Sequence, residues 1–277
     1  MSEALDISTK GSLETQQFVP IEPNQDPLQS AHNLPTVGRS IGWLVIFISL
    51  SLFIGILYGI YMGFQEVFAA RANHTEIDIA TLSSGIKNDS ETPFVRTLFG
   101  ILQFIFIVPV IFFAAKFPGQ SALETLAIKK VPKNIVGRWL LYFAGFWIVS
   151  TGFLYFIHET ESPFIQSLRG TRHFGLAVVI AVIAPIIEEL IFRGYLYKAW
   201  RFTRLGYAGA LILISVLFSL IHVGQYHWTY LLVIFCFAIL LGMAREKTGS
   251  VLTPMLFHAI NNAIAAVLLI YLDVNIE

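Results

Sequence analysis

The chain has 277 residues, 56% of them hydrophobic and 13% charged, and a mean hydropathy of +0.69. That is far more apolar than a soluble domain of this length needs to build a core, and it reads as an all-α, polytopic transmembrane helix bundle. Eighteen basic and eighteen acidic side chains balance, so no overall field argues for nucleic acid as a partner; the partner implied everywhere is the lipid bilayer.

Residues 1–38 are polar, carry Pro20, Pro23, Pro27 and Pro35, and show no apolar period, which predicts a disordered tail. They lack the basic start and short apolar stretch of a signal peptide. A spanning helix needs roughly 20 apolar residues, and Ile41 to Phe64 supplies the first. A polar loop is expected over 65–94, with the acids Glu66, Glu76, Asp78, Asp89 and Glu91. Further spans follow at about 95–115, 136–157, 173–199, 208–226, 228–244 and 250–272. Seven to eight spans in all are expected, the fifth and sixth short, with 39–172 forming an N-terminal set of helices and 173–272 a functional core. No internal repeat is visible. The single cysteine, Cys236, lies inside the apolar run LLVIFCFAILL, where it is expected to pack as a small hydrophobe.

Lys and Arg in short loops are retained on the cytoplasmic side. Alternate loops divide them eleven to five, the richer set running from Arg39 through Lys129, Lys130 and Lys198 to Arg245 and Lys247. This predicts an integral membrane protein with a cytoplasmic N-terminus.

The fourth span contains A-P-I-I-E-E-L-I-F-R-G, so that Glu188, Glu189 and Arg193 fall within six residues of otherwise apolar sequence. Each ionisable group at bilayer depth costs about 2.5–3.5 kcal/mol on insertion scales, so the three need mutual compensation or a watery cavity. Glu189 and Arg193 are four apart and suited to pair along the helix. Glu188, rotated by about 100° from Glu189, is left without a local partner. Pro185 is expected to loosen or kink the helix beside the acids. The bland reading is a structural ion pair at a packing surface. Against it stand two more helices with inward polar groups: Phe218 and His222 in FSLIH, and His258 and Asn262 at successive helical steps in TPMLFHAINNA. A lone histidine or asparagine in a membrane helix usually just bridges to a neighbour; three helices converging this way is harder to reduce to packing.

The order E-E-x-x-x-R, then F-x-x-x-H, then H-x-x-x-N on successive helices resembles the CPBP family of intramembrane proteases, which includes the type II CAAX prenyl endopeptidases and bacterial relatives linked to bacteriocin processing and immunity. The resemblance extends through EELIFRGYLY and covers about residues 173–270. It implies that Glu188, helped by His222, activates water as general base, that His258 and Asn262 stabilise the oxyanion, and that Glu189, Arg193 and Phe218 support them. It implies a membrane-associated peptide or lipidated protein as substrate. A desolvated carboxylate suits the first role, and donors in a dry cavity suit the second. No cofactor is expected. The alternative is a zinc site on His222, His258 and Glu188, although H-E-x-x-H is absent, position 162 after His158 and Glu159 being serine. No G-x-S-x-G elbow or pair of membrane aspartates points to serine or aspartyl chemistry. A transporter would predict repeats or paired broken helices; a non-catalytic interaction or immunity protein has no need of intact polar positions.

Overall fold

The computed structural model describes residues 36–75, 79–117, 119–158 and 161–274, and among these there is no strand. The chain folds as an all-α bundle. In chain order its helices are α1 (Val37–Asn73), α2 (Ile79–Ser90), α3 (Pro93–Ala114), α4 (Ala122–Thr125), α5 (Lys133–Ile157), α6 (Pro163–Gln166), α7 (Phe174–Arg201), α8 (Gly206–Leu220), α9 (Trp228–Thr248) and α10 (Leu252–Tyr271). Among the described residues six are long and apolar enough to cross a membrane, α1, α3, α5, α7, α9 and α10, with α8 as a shorter apolar helix. The protein is an integral membrane protein.

Large apolar side chains cover the outside of the bundle, among them Leu52, Ile56, Leu141, Val149 and Phe156. Such a surface is tolerable only against lipid, where every backbone group is already paired within its helix. Inside, Phe47, Ile111, Ile191, Tyr195, Leu196 and Phe218 belong to one buried cluster joining α1, α3, α7 and α8. Close approach is set by small residues: a Cβ on Gly100 would run into Val179, and one on Gly242 into Leu211. Polar ties pin both ends. Trp200 Nε1 donates to the buried Ser40 Oγ at 2.7 Å, and Val251 N–H bonds the Ala127 carbonyl at 3.0 Å; at the opposite end Gly170 N–H bonds Leu269 O at 2.9 Å.

Several expectations need correction. The tail over 1–38 lies outside the described residues up to position 35; from there helix begins at once, with Thr36 capping α1 through its side chain to the Arg39 N–H. The 65–94 segment is largely helical, because α1 continues past Phe64 to Asn73 and α2 follows. Gln65 to Ala72 contains neither Gly nor Pro, so nothing stops the helix where the apolar stretch ends. Tyr58 on α1 hydrogen-bonds Asp89 on α2, giving one of that segment's acids a partner. The fifth span stops at Leu220, not 226. Its 15 residues make about 22 Å, short of the roughly 30 Å of a hydrocarbon core. Cys236, expected to be packed, is exposed on the outer face of α9.

Candidate active site

The fourth predicted span, α7, is not a plain helix. It passes from α-helix (Phe174–Val178) into a π-helical stretch (Val179–Ile183), back to α (Ala184–Glu189), into a second π stretch (Leu190–Leu196), and ends as α (Tyr197–Arg201). Pro185 explains the first change. Ala184 N–H bonds Val179 O, five residues back; in that register the next donor, to Ile180 O, would be residue 185, and proline has no N–H. The Ile180 carbonyl instead accepts from Asn262 Nδ2 of α10 at 3.0 Å. The expected kink is thus a change of helical register, repaired by a side chain from another helix.

Glu189 and Arg193 form the expected pair at 2.8 Å, with side chains 0% and 1% exposed. Arg193 is held on two further sides. Its Nη2 donates to the Ala238 carbonyl of α9 at 3.0 Å, and its guanidinium lies 4.4 Å above the Phe218 ring of α8, a cation–π contact strengthened by the absence of water. The same oxygen of Glu189 that accepts Arg193 also meets His258 Nδ1 at 2.9 Å. A carboxylate only accepts, so Nδ1 carries the hydrogen and Nε2 is the end left for chemistry. That Nε2 lies 3.8 Å from Glu188 Oε2. Two helices, α7 and α10, therefore meet in one chain of contacts: Arg193, Glu189, His258, Glu188.

Glu188 is the partly exposed member, 23% accessible, and its Oε2 has no hydrogen-bond partner within the protein. It faces a cavity of about 310 Å³ that is also bordered by His222, Tyr226, His258, Asn261 and Asn262. His222 sits just past the end of α8, and the shortness of that helix brings the turn down into the bundle. Its Nδ1 lies 2.8 Å from the Phe218 carbonyl; since a carbonyl only accepts, Nδ1 bears the hydrogen and Nε2 is the acceptor. Phe218 thus does two jobs in F-x-x-x-H, orienting His222 with its backbone and covering Arg193 with its ring. All seven residues singled out in the sequence lie on this assembly. A second cavity, of about 380 Å³ and lined mostly by apolar residues of α1, α3, α7 and α8 together with Ser51 and Gln103, also borders Glu188.

Residues 171–264 match the family model described as type II CAAX prenyl endopeptidase Rce1-like. Over those residues the chain is similar to the CPBP family. No curated protein and no solved structure matches it. The match begins just ahead of α7 and takes in Glu188, His222, His258 and Asn262, and at family level it supports a CAAX-type intramembrane protease domain over those residues. The first 170 residues lie outside it, yet α1 and α3 wall the second cavity.

The geometry adds residues that the sequence did not single out. Tyr226 borders the Glu188 cavity, its ring 6.0 Å from that of His222 and 5.6 Å from that of Phe164. Burial, and then the negative charge of Glu188, push its phenol up, so it keeps its proton as a donor. Asn261 donates to Asn262 Oδ1 at 3.3 Å. A tyrosine in a polar turn carries no periodic signal; the doubled asparagine in HAINNA was the one available hint.

Proposed function

We propose that the protein is an intramembrane endopeptidase that hydrolyses a peptide bond of a membrane-associated or lipidated substrate. The observation that carries this reading is the meeting of Glu188, His222, His258 and Asn262 at one cavity, with the buried Glu189–Arg193 pair behind them. In the proposed reaction Glu188 takes a proton from water while His222 Nε2 accepts the other hydrogen and fixes the direction of attack. The hydroxide adds to the scissile carbonyl carbon. Charge on the resulting oxyanion is met by His258, acting as an imidazolium with its Nδ1–H anchored on Glu189, and by the second N–H of Asn262, the first being held by Ile180 O. Glu188 then delivers its proton to the amide nitrogen as the C–N bond breaks. General acid–base transfer of this kind contributes about 10²–10⁴-fold and each oxyanion donor about 10²–10³-fold.

No metal is invoked. His222, His258 and Glu188 are read as acid–base and donor groups. By the distribution of Lys and Arg, the N-terminus is proposed to be cytoplasmic.

The test is cleavage of a prenylated CAAX peptide and of a membrane-peptide library by purified protein, wild type beside Glu188→Gln. Cleavage by wild type and its loss in the variant is the expected result. Equal cleavage by both would remove Glu188 from the mechanism, and no cleavage by either would favour a binding or immunity role.

A further inference from the structure

The cationic end of the bundle contains a cluster that the catalytic reading does not use. Glu246, near the end of α9, is fully engaged: its Oε1 accepts Arg201 Nε at 3.0 Å and Nη2 at 2.8 Å, and its Oε2 accepts Tyr197 O–H at 2.6 Å. Arg245 beside it is 7% exposed, donates its Nε to the Arg193 carbonyl at 2.9 Å, and lies 5.6 Å over the Tyr197 ring. Lys198, half-buried near the end of α7, faces the positive charges of both Arg245 and Lys129. Lys129 is brought in by the loop before α5, its Nζ packed against Gly249 and its carbonyl accepting Ser250 Oγ. Among the described residues no carboxylate pairs with Lys129, Lys198 or Arg245.

Arg245 is buried, Lys198 half-buried and Lys129 exposed, and like charges gathered at such a site repel. An anion among them removes that penalty. Phosphate fits the donor set, a guanidinium with two ammonium groups. The surroundings favour a lipid as its carrier. The cluster lies at the ends of spanning helices, where headgroups sit, and next to it Phe202, 63% exposed, and Leu205, 41% exposed, offer an apolar face, with Lys198 Nζ 5.4 Å over the Phe202 ring.

We infer that Lys129, Lys198 and the terminal nitrogens of Arg245 bind a phosphate group, supplied by the headgroup of an anionic phospholipid. Its effect on catalysis rests on the protease reading: Arg245 Nε holds the Arg193 carbonyl, Arg193 holds Glu189 and Glu189 holds His258, so an anion that fixes Arg245 stiffens the whole line.

The binding experiment is independent of catalysis. Full-length protein is reconstituted in phosphatidylcholine nanodiscs with or without phosphatidylglycerol, and retained lipid is measured by native mass spectrometry and Tm by unfolding. Wild type is expected to retain phosphatidylglycerol selectively with a raised Tm. Lys129→Gln/Lys198→Gln is expected to bind it roughly 30-fold more weakly, about fivefold per lysine. Lys130→Gln/Lys133→Gln, which removes two exposed lysines of the same stretch, is expected to bind as wild type, and Lys198→Arg to retain binding, which guards against loss of fold. Equal losses in the two double variants would mean diffuse surface attraction and overturn the site. The same rise in Tm from inorganic phosphate alone would overturn the lipid as source. Cleavage by wild type is measured alongside: selective lipid retention by wild-type protein that cleaves no substrate keeps the site while the protease reading falls.

Discussion

Asn262 Nδ2 bonds the carbonyl oxygen of Ile180 at 3.0 Å, tying α10 to the helix that carries both glutamates. Because Pro185 leaves that carbonyl without a main-chain donor in the π register, the two residues are coupled. Asn262→Ala is expected to destabilise by about 1–3 kcal/mol, the usual penalty for a buried acceptor left unpaired. In a Pro185→Ala background, where residue 185 regains an N–H, the same change should cost about 1 kcal/mol less. A double-mutant cycle by unfolding in detergent measures the coupling; effects that add within about 0.5 kcal/mol would break the link.

Glu188→Gln and His222→Ala are each expected to lower cleavage by about 10²–10⁴-fold while leaving Tm within a few degrees of wild type. Glu188 already has an unpartnered oxygen and partial exposure, so neutralising it removes little that holds the fold. A variant that keeps wild-type kcat/KM would sink its residue's assignment.

Arg193→Met and Glu189→Gln should behave in the opposite way. Each leaves a buried charge without its partner, at about 3–5 kcal/mol, so loss of fold is expected to precede any loss of chemistry. Arg193→Lys is not a rescue, because one ammonium cannot reach Glu189, the Ala238 carbonyl and the Phe218 face together. Thermal unfolding of the three variants checks this; a stable Arg193→Met protein would contradict it.

Cleavage is expected to survive prolonged treatment with a strong chelator. Activity lost on treatment and restored by zinc would replace the general-base reading with a metal-bound water on His222, His258 and Glu188. Cys236→Ser, on the outer face of α9, should change neither rate nor Tm.

Much of this site was legible because membrane helices make polar residues conspicuous: Glu188, Glu189, Arg193, His222, His258 and Asn262 each stand out against apolar neighbours. The long apolar helices were legible for the same reason, although seven to eight spans were expected and six, with the shorter α8, are found among the described residues. What composition could not give was where helix, as distinct from apolar sequence, ends. α1 outruns its apolar stretch by nine residues to Asn73, and α8 stops short at Leu220. Nor could spacing reveal that His258 shares an oxygen of Glu189 with Arg193, since i to i+4 arithmetic sees only one helix at a time. The π stretches were invisible too, although Pro185 marked the place where the first would begin.

Those two stretches make α7 a rotary coupling. Each turn closed over five residues instead of four takes in one residue more than an α-turn, and one residue is worth about 100° around the axis. The second stretch, Leu190–Leu196, therefore sets the angular phase between Glu188 and the Tyr197–Arg201 end that grips Glu246. An uninterrupted α-helix with the same sequence would satisfy one of these partners and turn the other toward the lipid.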